Sequence, residues 1–544
     1  MVRGLFSSRM PQTRFDSYTI VPLETLKDLK PLHAGSAARA RCLPGTRVDI
    51  LQDLFTSLAY PNADRNIIWL RGPAGSGKST ILNTLAHYSV QLRRLGAFLF
   101  WDRNNPDNSE PHRAIHTLAQ QLALFHPLFA CELDMRMKKW PRVTEYSLDL
   151  QFQYLLQEPL TALAATHDLG PIVIILDALD ECGTSESRRQ LLNTLSAGLA
   201  KLPNVFRLLI ASRDEPDILD TLSLLNPRSY DLFVGDESTS LDITLFFQTR
   251  LANNNDAHVD RRLQPDWPGA DVIRRLVTLS GGLFIWASTT IRFIESGPRE
   301  ARLKTILGAS EHGPSHAKLD NLYRVALIHS FDSYISNELE YAHSVLGAIV
   351  VARVQLTDQQ LGQLLGLEMD VVQDVLSRLQ PLLQGGRGQP VRFLHASFIE
   401  FLCDLEKCQD ARWHINTPAH HLDLASRCLK VMQQDVKFNI CGVETSYRRN
   451  NEIEGIQERV ARAITPVLMY ASQYWADHLE SGSTPKADLH PFVDIVNNFF
   501  THRFLYWIEV FSLKEQMSMI PPILRKMINW AKVCLAFLIR SGNT

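Results

Sequence analysis

The chain has 544 residues, of which 45% are hydrophobic and 21% charged, a composition typical of globular proteins. At about 150 residues per domain, this length predicts roughly three or four domains. With 56 basic and 58 acidic residues the formal net charge is −2, so we expect no nucleic-acid partner, and no apolar run approaches the ~18 residues of a transmembrane segment. The eight cysteines are scattered, which is typical of reduced thiols in an intracellular protein, and we expect a cytoplasmic location.

The N-terminal part of the chain leads into a glycine-rich loop. Residues 1–41 are mixed in composition, and we expect a tail or short adaptor there. An amphipathic helix is predicted over 48–57, followed by a short apolar run at 67–70 that predicts a buried strand. A helical pattern begins after the loop, at 80–85. Strand, glycine loop and helix in this order are the context in which a phosphate-binding loop occurs.

The loop over 72–79 reads Gly-Pro-Ala-Gly-Ser-Gly-Lys-Ser, with the spacing of a phosphate-binding loop. Its glycines allow successive backbone N–H groups to converge on one phosphate, and the positive end of the following helix adds to the attraction. We expect Lys78 to reach the β- and γ-phosphates and the Ser79 hydroxyl to bind Mg²⁺. The predicted nucleotide-binding residues here are Gly72, Pro73, Ala74, Gly75, Ser76, Gly77, Lys78, Ser79 and Thr80.

A second predicted strand, 172–177, is apolar up to its last residue, Asp177. A buried parallel strand that delivers a carboxylate at its C-terminal end is how P-loop enzymes hold Mg²⁺, so Asp177 is the second predicted magnesium ligand. Asp180 and Glu181 follow at once and are the predicted catalytic residues, which could orient or deprotonate an attacking water. Acidic residues at a helix N-terminus are also common without any catalytic role, and this alternative stays open.

Arg213 directly follows a third predicted strand, 206–212. A cation there could sense the γ-phosphate, although an arginine after a strand is as often simply solvated. Further strands are predicted at 97–101 and 230–234, with helical patterns between the strands. This alternation predicts a doubly wound parallel sheet over 42–236, in which ligands bind at the carboxyl ends of the strands.

The chain beyond the predicted sheet is largely helical. Helical patterns at 241–251 and 272–294 predict a lid domain over 237–296, and a linker is expected over 297–318. The last part, 411–544, is expected to form an all-helical domain. Within it Pro466 should interrupt the helical pattern 456–479, because proline cannot donate the helical hydrogen bond.

The segment 319–410 carries the order of a winged helix. Thr357 and Gln360 form a capping-box pattern at the start of one helix, and a second helix is predicted over 371–379. Two strands separated by a glycine-rich turn follow, up to residue 394. Arg378 of the second helix is set against Asp374 and the directly preceding Asp370, whereas a DNA-recognition helix should be basic, so a packing role is favoured.

In this order the motifs resemble those of the NACHT family of P-loop NTPases, in particular fungal NLR-like proteins, which are signal-transduction ATPases of the STAND class. Besides the phosphate loop, the resemblance rests on Leu-Asp-Ala-Leu-Asp-Glu-Cys at 176–182, Ala-Ser-Arg-Asp-Glu at 211–215, Gly-Gly-Leu-Phe-Ile-Trp-Ala at 281–287 and Leu-His-Ala-Ser-Phe at 394–398. It covers roughly 42–480. It implies an α/β P-loop NTPase domain with a doubly wound parallel sheet, followed by helical lid, winged-helix and all-α domains.

The resemblance also implies a function, that of a nucleotide switch which is off with ADP and on with ATP. Slow Mg²⁺-dependent hydrolysis would reset it, activation would bring self-association, and its protein partners are unknown. His395 would touch the diphosphate of bound ADP, the alternative being an ordinary hydrogen-bonded histidine beside a hairpin. The family's Gly-x-Pro element lacks its proline at 281–284, so a contact of that proline with the base is not expected.

Several functional alternatives stay open at this level. The motifs do not separate ATP from GTP. A P-loop ATPase with continuous turnover would carry the same motifs, and so would an interaction scaffold that holds a structural nucleotide.

Overall fold

The computed structural model describes residues 29, 40–59, 66–103, 109–165, 170–199, 201–252, 267–308, 315–331, 336–445, 447–483 and 489–541. The chain divides into two compact units, Met1–Leu322 and Tyr323–Thr544. The tail or adaptor predicted for 1–41 lies outside the described residues, except for Leu29, Ala40 and Arg41. Within the described ranges, no helix is both long and apolar enough to cross a membrane.

A parallel five-stranded sheet forms the centre of the first unit. Its strands are β1 (Ile67–Arg71), β2 (Leu95–Phe100), β3 (Ile172–Asp177), β4 (Phe206–Ser212) and β5 (Arg228–Asp231), in the spatial order β2-β3-β4-β1-β5. Every residue of β3 and β4 is buried, which explains their nearly continuous apolar sequence. The five predicted strands are therefore confirmed to within a few residues at their ends.

Helices cover both faces of this sheet. On β1, Ile68 and Leu70 pack into one apolar core, whereas Ile67 and Trp69 belong to a larger core on the opposite face. The helices are α1 (Val48–Ala59) and α2 (Lys78–Gln91) on the first face, and α3 (His112–Phe125), α4 (Pro127–Lys139), α5 (Leu148–Phe152), α6 (Glu158–Ala164), α7 (Ser185–Leu199) and α8 (Pro216–Ser223) on the second. The doubly wound arrangement is confirmed, and it is the fold of a P-loop NTPase.

Further described helices of the first unit are α9 (Glu237–Ala252), α10 (Ala270–Ser280), α11 (Phe284–Glu295) and α12 (Arg299–Leu307), and α13 (Ser315–Ser330) continues from the first unit into the second. The helical pattern over 272–294 is divided between α10 and α11, because Gly281 and Gly282 adopt left-handed backbone angles, with φ of 54° and 81°. The segment 297–318, expected to be a linker, contains α12 and the start of α13.

In the second unit, the end of α13 is followed by α14 (Ser336–Val351), α15 (Asp358–Leu365) and α16 (Met369–Arg378), and then by an antiparallel hairpin of β6 (Leu383–Gly386) and β7 (Gln389–Phe393). Thr357 and Gln360 form the predicted capping box at the start of α15. The Asp358 carboxylate accepts hydrogen bonds from the backbone N–H groups of Arg387 and Gly388, at 2.8 Å and 2.9 Å. These two bonds attach the hairpin turn to the start of α15.

The remainder of the described chain contains the helices α17 (Ala396–Cys403), α18 (Leu405–Cys408), α19 (Thr417–Asp435), α20 (Ile456–Ala463), α21 (Pro466–Gly482), α22 (His490–His502), α23 (Phe504–Leu513) and α24 (Ile520–Ser541). The predicted interruption at Pro466 is confirmed. This proline starts α21 behind the capping residue Thr465, at a position where the missing N–H group costs nothing.

Candidate functional site

The loop between β1 and α2 closes into a cradle at the helix N-terminus. Gly75 and Gly77 have positive φ angles of 76° and 99°, which favour glycine. A Cβ atom on Gly75 would lie 2.1 Å from the Ile285 side chain, so the space outside the loop also demands glycine there. The Ser76 N–H group donates to the Pro73 carbonyl at 3.3 Å, which tightens the turn. The first N–H groups of a helix lack intrahelical acceptors, and the loop brings them to the cradle.

The predicted phosphate-binding residues all belong to this cradle. Gly72, Pro73, Ala74, Gly75, Ser76 and Gly77 form the loop, whereas Lys78, Ser79 and Thr80 form the first turn of α2. The Lys78 ammonium donates to the carbonyls of Gly72 and Pro73, at 2.6 Å and 2.9 Å. Burial lowers the pKa of Lys78 to about 8, against the opposing field of Asp180. The lysine therefore keeps its charge at neutral pH and presents a desolvated cation at the loop.

Ser79 and Asp177 meet although they lie 98 positions apart in the chain. The Ser79 hydroxyl donates to Asp177 Oδ1 at 3.1 Å, and Asp177 is buried at the carboxyl end of β3. A hydroxyl and a carboxylate are the hard oxygen ligands that Mg²⁺ prefers. This donor pair therefore fits a magnesium ion, which Ser79 and Asp177 would hold.

Asp180 is buried and fully engaged with Arg213. One carboxylate oxygen, Oδ2, lies 3.0 Å from Arg213 Nε, and the other accepts from the Arg213 backbone N–H at 3.1 Å. Both oxygens thus hold the arginine at the end of β4. An aspartate in this arrangement orients a cation, and both of its carboxylate oxygens are already in contact with the arginine.

Glu181 has a different environment from its neighbour. It is half-buried, and its Oε2 accepts from the backbone N–H of Arg103 at 3.3 Å. Burial, helped by the nearby charges of Asp102 and Asp180, raises the pKa of Glu181 to about 7. A carboxyl group with this pKa can both take up and release a proton near neutral pH.

Two arginines that the sequence analysis did not identify hold the peptide unit that joins Asp180 to Glu181. Arg188 Nη1 and Arg103 Nη2 both donate to the Asp180 carbonyl oxygen, at 2.8 Å and 2.9 Å. Arg188 also makes a forked pair with Asp217, at 2.8 Å and 3.0 Å, and both side chains are less than a tenth exposed. Neither arginine lies at a motif position, and only the packing of α7 against α8 brings Arg188 to Asp217.

His395, the remaining predicted site residue, belongs to the second unit. Its Nδ1 accepts from the Ser397 backbone N–H at 3.1 Å and lies 2.7 Å from the Ser397 hydroxyl. That hydroxyl also lies 2.7 Å from the Tyr323 hydroxyl. Because Nδ1 acts as an acceptor, the proton of the neutral ring is on Nε2. The ring is thereby fixed at the start of α17 with one defined donor.

A family model described as "Nephrocystin 3, N-terminal" matches residues 45–213, a range that contains the phosphate loop and the ends of β3 and β4. No curated protein matches the chain. With the sheet order and the loop conformation, this match supports a P-loop NTPase domain in the first unit.

Solved structures give weaker similarities. A Walker-type ATPase of Pyrococcus abyssi is 13% identical over 67% of this chain and 98% of its own, with a TM-score of 0.33. Cdc6p of Pyrobaculum aerophilum is 12% identical over 75% of this chain and 98% of its own, with a TM-score of 0.33. The Orc1 protein of Aeropyrum pernix, solved in complex with DNA, is 15% identical over 69% of this chain and 94% of its own, with a TM-score of 0.30. At these TM-scores the structures do not inform on the function of this chain.

We expect Arg188→Met to destabilise the first unit by about 3–5 kcal/mol, because it leaves the buried Asp217 carboxylate without its partner. Adding Asp217→Asn should recover part of this loss. The free energy of unfolding of the full chain in urea measures both effects. Arg142→Met is the matched control, since Arg142 pairs with Glu145 at the surface, and it should change nothing measurable. Equal effects of Arg188→Met and Arg142→Met would contradict the structural role of the buried pair.

Proposed function

We propose that the first unit binds a nucleoside di- or triphosphate with Mg²⁺ and hydrolyses the triphosphate slowly. The contact between the Ser79 hydroxyl and Asp177 Oδ1, at 3.1 Å, carries this proposal. It joins the first turn after a phosphate loop to the carboxylate that ends β3, which is how P-loop NTPases hold their metal. The nucleotide is ATP or GTP, because the loop residues would contact its phosphates, which both nucleotides share, and not its base.

Each residue of the site has a role in this proposal. Backbone N–H groups of the loop and the Lys78 ammonium bind the β- and γ-phosphates. Ser79 and Asp177 would hold a magnesium ion, which would neutralise charge on those phosphates. Arg213, oriented by Asp180, contacts the γ-phosphate from the end of β4.

Of the two carboxylates predicted to be catalytic, Glu181 is the better candidate for the general base. Its pKa of about 7 allows it to take the proton of the attacking water at neutral pH. Asp180 is instead occupied by Arg213 through both of its carboxylate oxygens. We therefore assign Asp180 the role of orienting the arginine.

The finer proposal is that the chain is a signalling switch of the NACHT type, related to fungal NLR-like proteins and acting in the cytoplasm. It is off with ADP, on with ATP, and self-associates in the on state. The helix–helix–hairpin segment 357–393 is a winged helix in this proposal, with His395 beside it as a ligand of the ADP phosphates. Its support is the order of the motifs together with the contact of α11 with the phosphate loop, where Ile285 N–H donates to the Gly75 carbonyl at 3.2 Å.

Nucleotide binding is tested with Lys78→Ala and Lys78→Arg. ADP at ~100 times its dissociation constant should stabilise the wild-type fold by about 2.7 kcal/mol, and neither variant should respond. A planar guanidinium does not replace the compact ammonium that Gly72 and Pro73 hold. Thermal unfolding with and without ADP measures this, with the exposed Lys138→Ala as the control. An undiminished ADP shift in Lys78→Ala would overturn the proposal.

The role of Glu181 predicts a pH dependence. Protonated Glu181 cannot accept a proton, so kcat/KM for hydrolysis should fall about tenfold for each pH unit below its pKa of about 7. Glu181→Gln should lower the rate by about 10²–10⁴-fold and remove this acidic limb. Glu186→Gln, at the exposed start of α7, is the matched control and should keep the wild-type profile. A Glu181→Gln variant that retains the acidic limb would show that another group is the base.

The switch is tested with His395→Ala. Loss of one hydrogen bond to a charged phosphate should speed ADP dissociation roughly ten- to a hundredfold and raise the oligomeric fraction. Stopped-flow displacement of a fluorescent ADP analogue and light scattering measure the two effects. His502→Ala, an exposed histidine of the same unit, is the control. Equal off-rates and equal masses for His395→Ala and the wild type would leave His395 as a structural residue.

A further inference from the structure

Arg47 lies just before α1, and its side chain is only 8% exposed. Its guanidinium makes one hydrogen bond to the phosphate loop, from Nη2 to the Ser76 carbonyl at 3.0 Å. It makes another to α9, from Nη1 to Thr239 Oγ1 at 2.8 Å. The guanidinium carbon also lies 4.9 Å from the centre of the Phe284 ring, at the start of α11. One buried cation thus contacts the loop and two helices that follow the sheet.

The hydrogen bonds of Arg47 distinguish it from an ordinary buried ion pair. The nearest carboxylate, Asp242, has its Oδ2 at 3.8 Å from Arg47 Nε, which is beyond hydrogen-bond distance. That oxygen instead accepts from the Arg47 backbone N–H at 3.0 Å. One N–H group on each terminal nitrogen of the guanidinium therefore bonds the loop carbonyl or Thr239. Asp242 fixes the main chain from which the arginine reaches them.

The Ser76 carbonyl belongs to the same peptide unit as the N–H group of Gly77. In a trans peptide the C=O and the following N–H group point in opposite directions. Arg47 holds the Ser76 oxygen, so the N–H group of Gly77 is directed away from the guanidinium. Gly77 is the residue before α2, and it has left-handed backbone angles, with φ of 99°. Its N–H group is one of those that would face a phosphate.

The neighbouring peptide unit is held from outside as well. The Gly75 carbonyl accepts from the backbone N–H of Ile285, at 3.2 Å, in the first turn of α11. Two consecutive carbonyls of the loop therefore accept from residues that do not belong to it, one from Arg47 and one from α11. A displacement of α9 or α11 would release these carbonyls and allow the peptide planes to turn.

We propose that Arg47 is a positioning residue for phosphate binding, which holds the Gly77 N–H group toward the phosphate and couples this orientation to α9 through Thr239. The inference rests on the proposed nucleotide binding. Nucleotide affinity and the position of α9 are then linked, because the same guanidinium supports both. Loss of the link shortens the lifetime of bound nucleotide, since an N–H group that can turn away is no longer preorganised.

The test compares Arg47→Met with Arg250→Met in the full chain, using stopped-flow displacement of a fluorescent ADP analogue. Arg250 is the matched control, because it is an exposed arginine on α9 that lies over the Phe246 ring at 5.9 Å. Arg47→Met should speed ADP dissociation about tenfold, the effect of losing a hydrogen bond from a charged donor. Arg250→Met should leave the off-rate at the wild-type value.

A double variant separates this role from a general loss of packing. Thr239→Val removes the acceptor on α9 and should also speed dissociation. If the two substitutions act through the same link, the double variant Arg47→Met with Thr239→Val should release ADP as fast as Arg47→Met alone. If they act through independent packing effects, their effects on the off-rate should multiply. Should Arg47→Met not fold, Thr239→Val alone decides, and a wild-type off-rate in that variant overturns the coupling. Wild-type protein that binds no ADP overturns the proposed function, whereas normal binding with unchanged off-rates in Arg47→Met overturns this inference alone.

Discussion

The position of β4 between β1 and β3 determines the geometry of the whole site. Neighbouring strands lie about 4.8 Å apart, so the ends of β1 and β3 are separated by about 10 Å. The phosphate loop crosses this gap, because it leaves β1 and returns as the first turn of α2, where Ser79 meets Asp177. Arg213 follows β4 in the middle of the gap, and its partner Asp180 follows β3. The residues proposed to act on phosphate thus come together through the sheet order.

Burial shifts the pKa values of two charged groups of the site in opposite directions. It lowers the pKa of Lys78 to about 8 and raises that of Glu181 to about 7, since water stabilises the charged form of both groups less there. Asp180 keeps its carboxylate paired with Arg213. A cation, a proton acceptor and an orienting carboxylate can therefore lie side by side at neutral pH, with distinct roles in the proposed hydrolysis.

Arginine side chains donate hydrogen bonds to main-chain carbonyls at two places in the candidate site. Arg188 and Arg103 hold the carbonyl of Asp180, and Arg47 holds that of Ser76. A guanidinium presents several donors in a fixed planar fork, so it can bind a carbonyl with one arm and a second element with another. The peptide units of Asp180 and Ser76 both lie in the candidate site. Their orientations therefore depend on arginines that are remote from them in the sequence or lie on other elements.

The sequence by itself determined the parts of the protein that depend on local pattern. The strand before the phosphate loop, the carboxylate that ends β3, the capping box at Thr357 and the helix start at Pro466 follow from the properties of a few adjacent residues. These four features depend on side chains and backbone conformations of residues that are close together in the sequence. They can therefore be predicted without a structure. The division of 272–294 into two helices was missed, although Gly281 and Gly282 stand at the break.

Only the tertiary structure decided how the contacts of the two predicted catalytic carboxylates differ. Asp180 and Glu181 are equivalent in the sequence, and their environments differ because Arg213, 33 positions from Asp180, comes back beside one of them. The same holds for Arg47, whose guanidinium bonds Thr239 across 192 positions of the chain. Such contacts depend on how helices and strand ends pack in three dimensions, and no local pattern records which distant group will occupy a given hydrogen-bonding position.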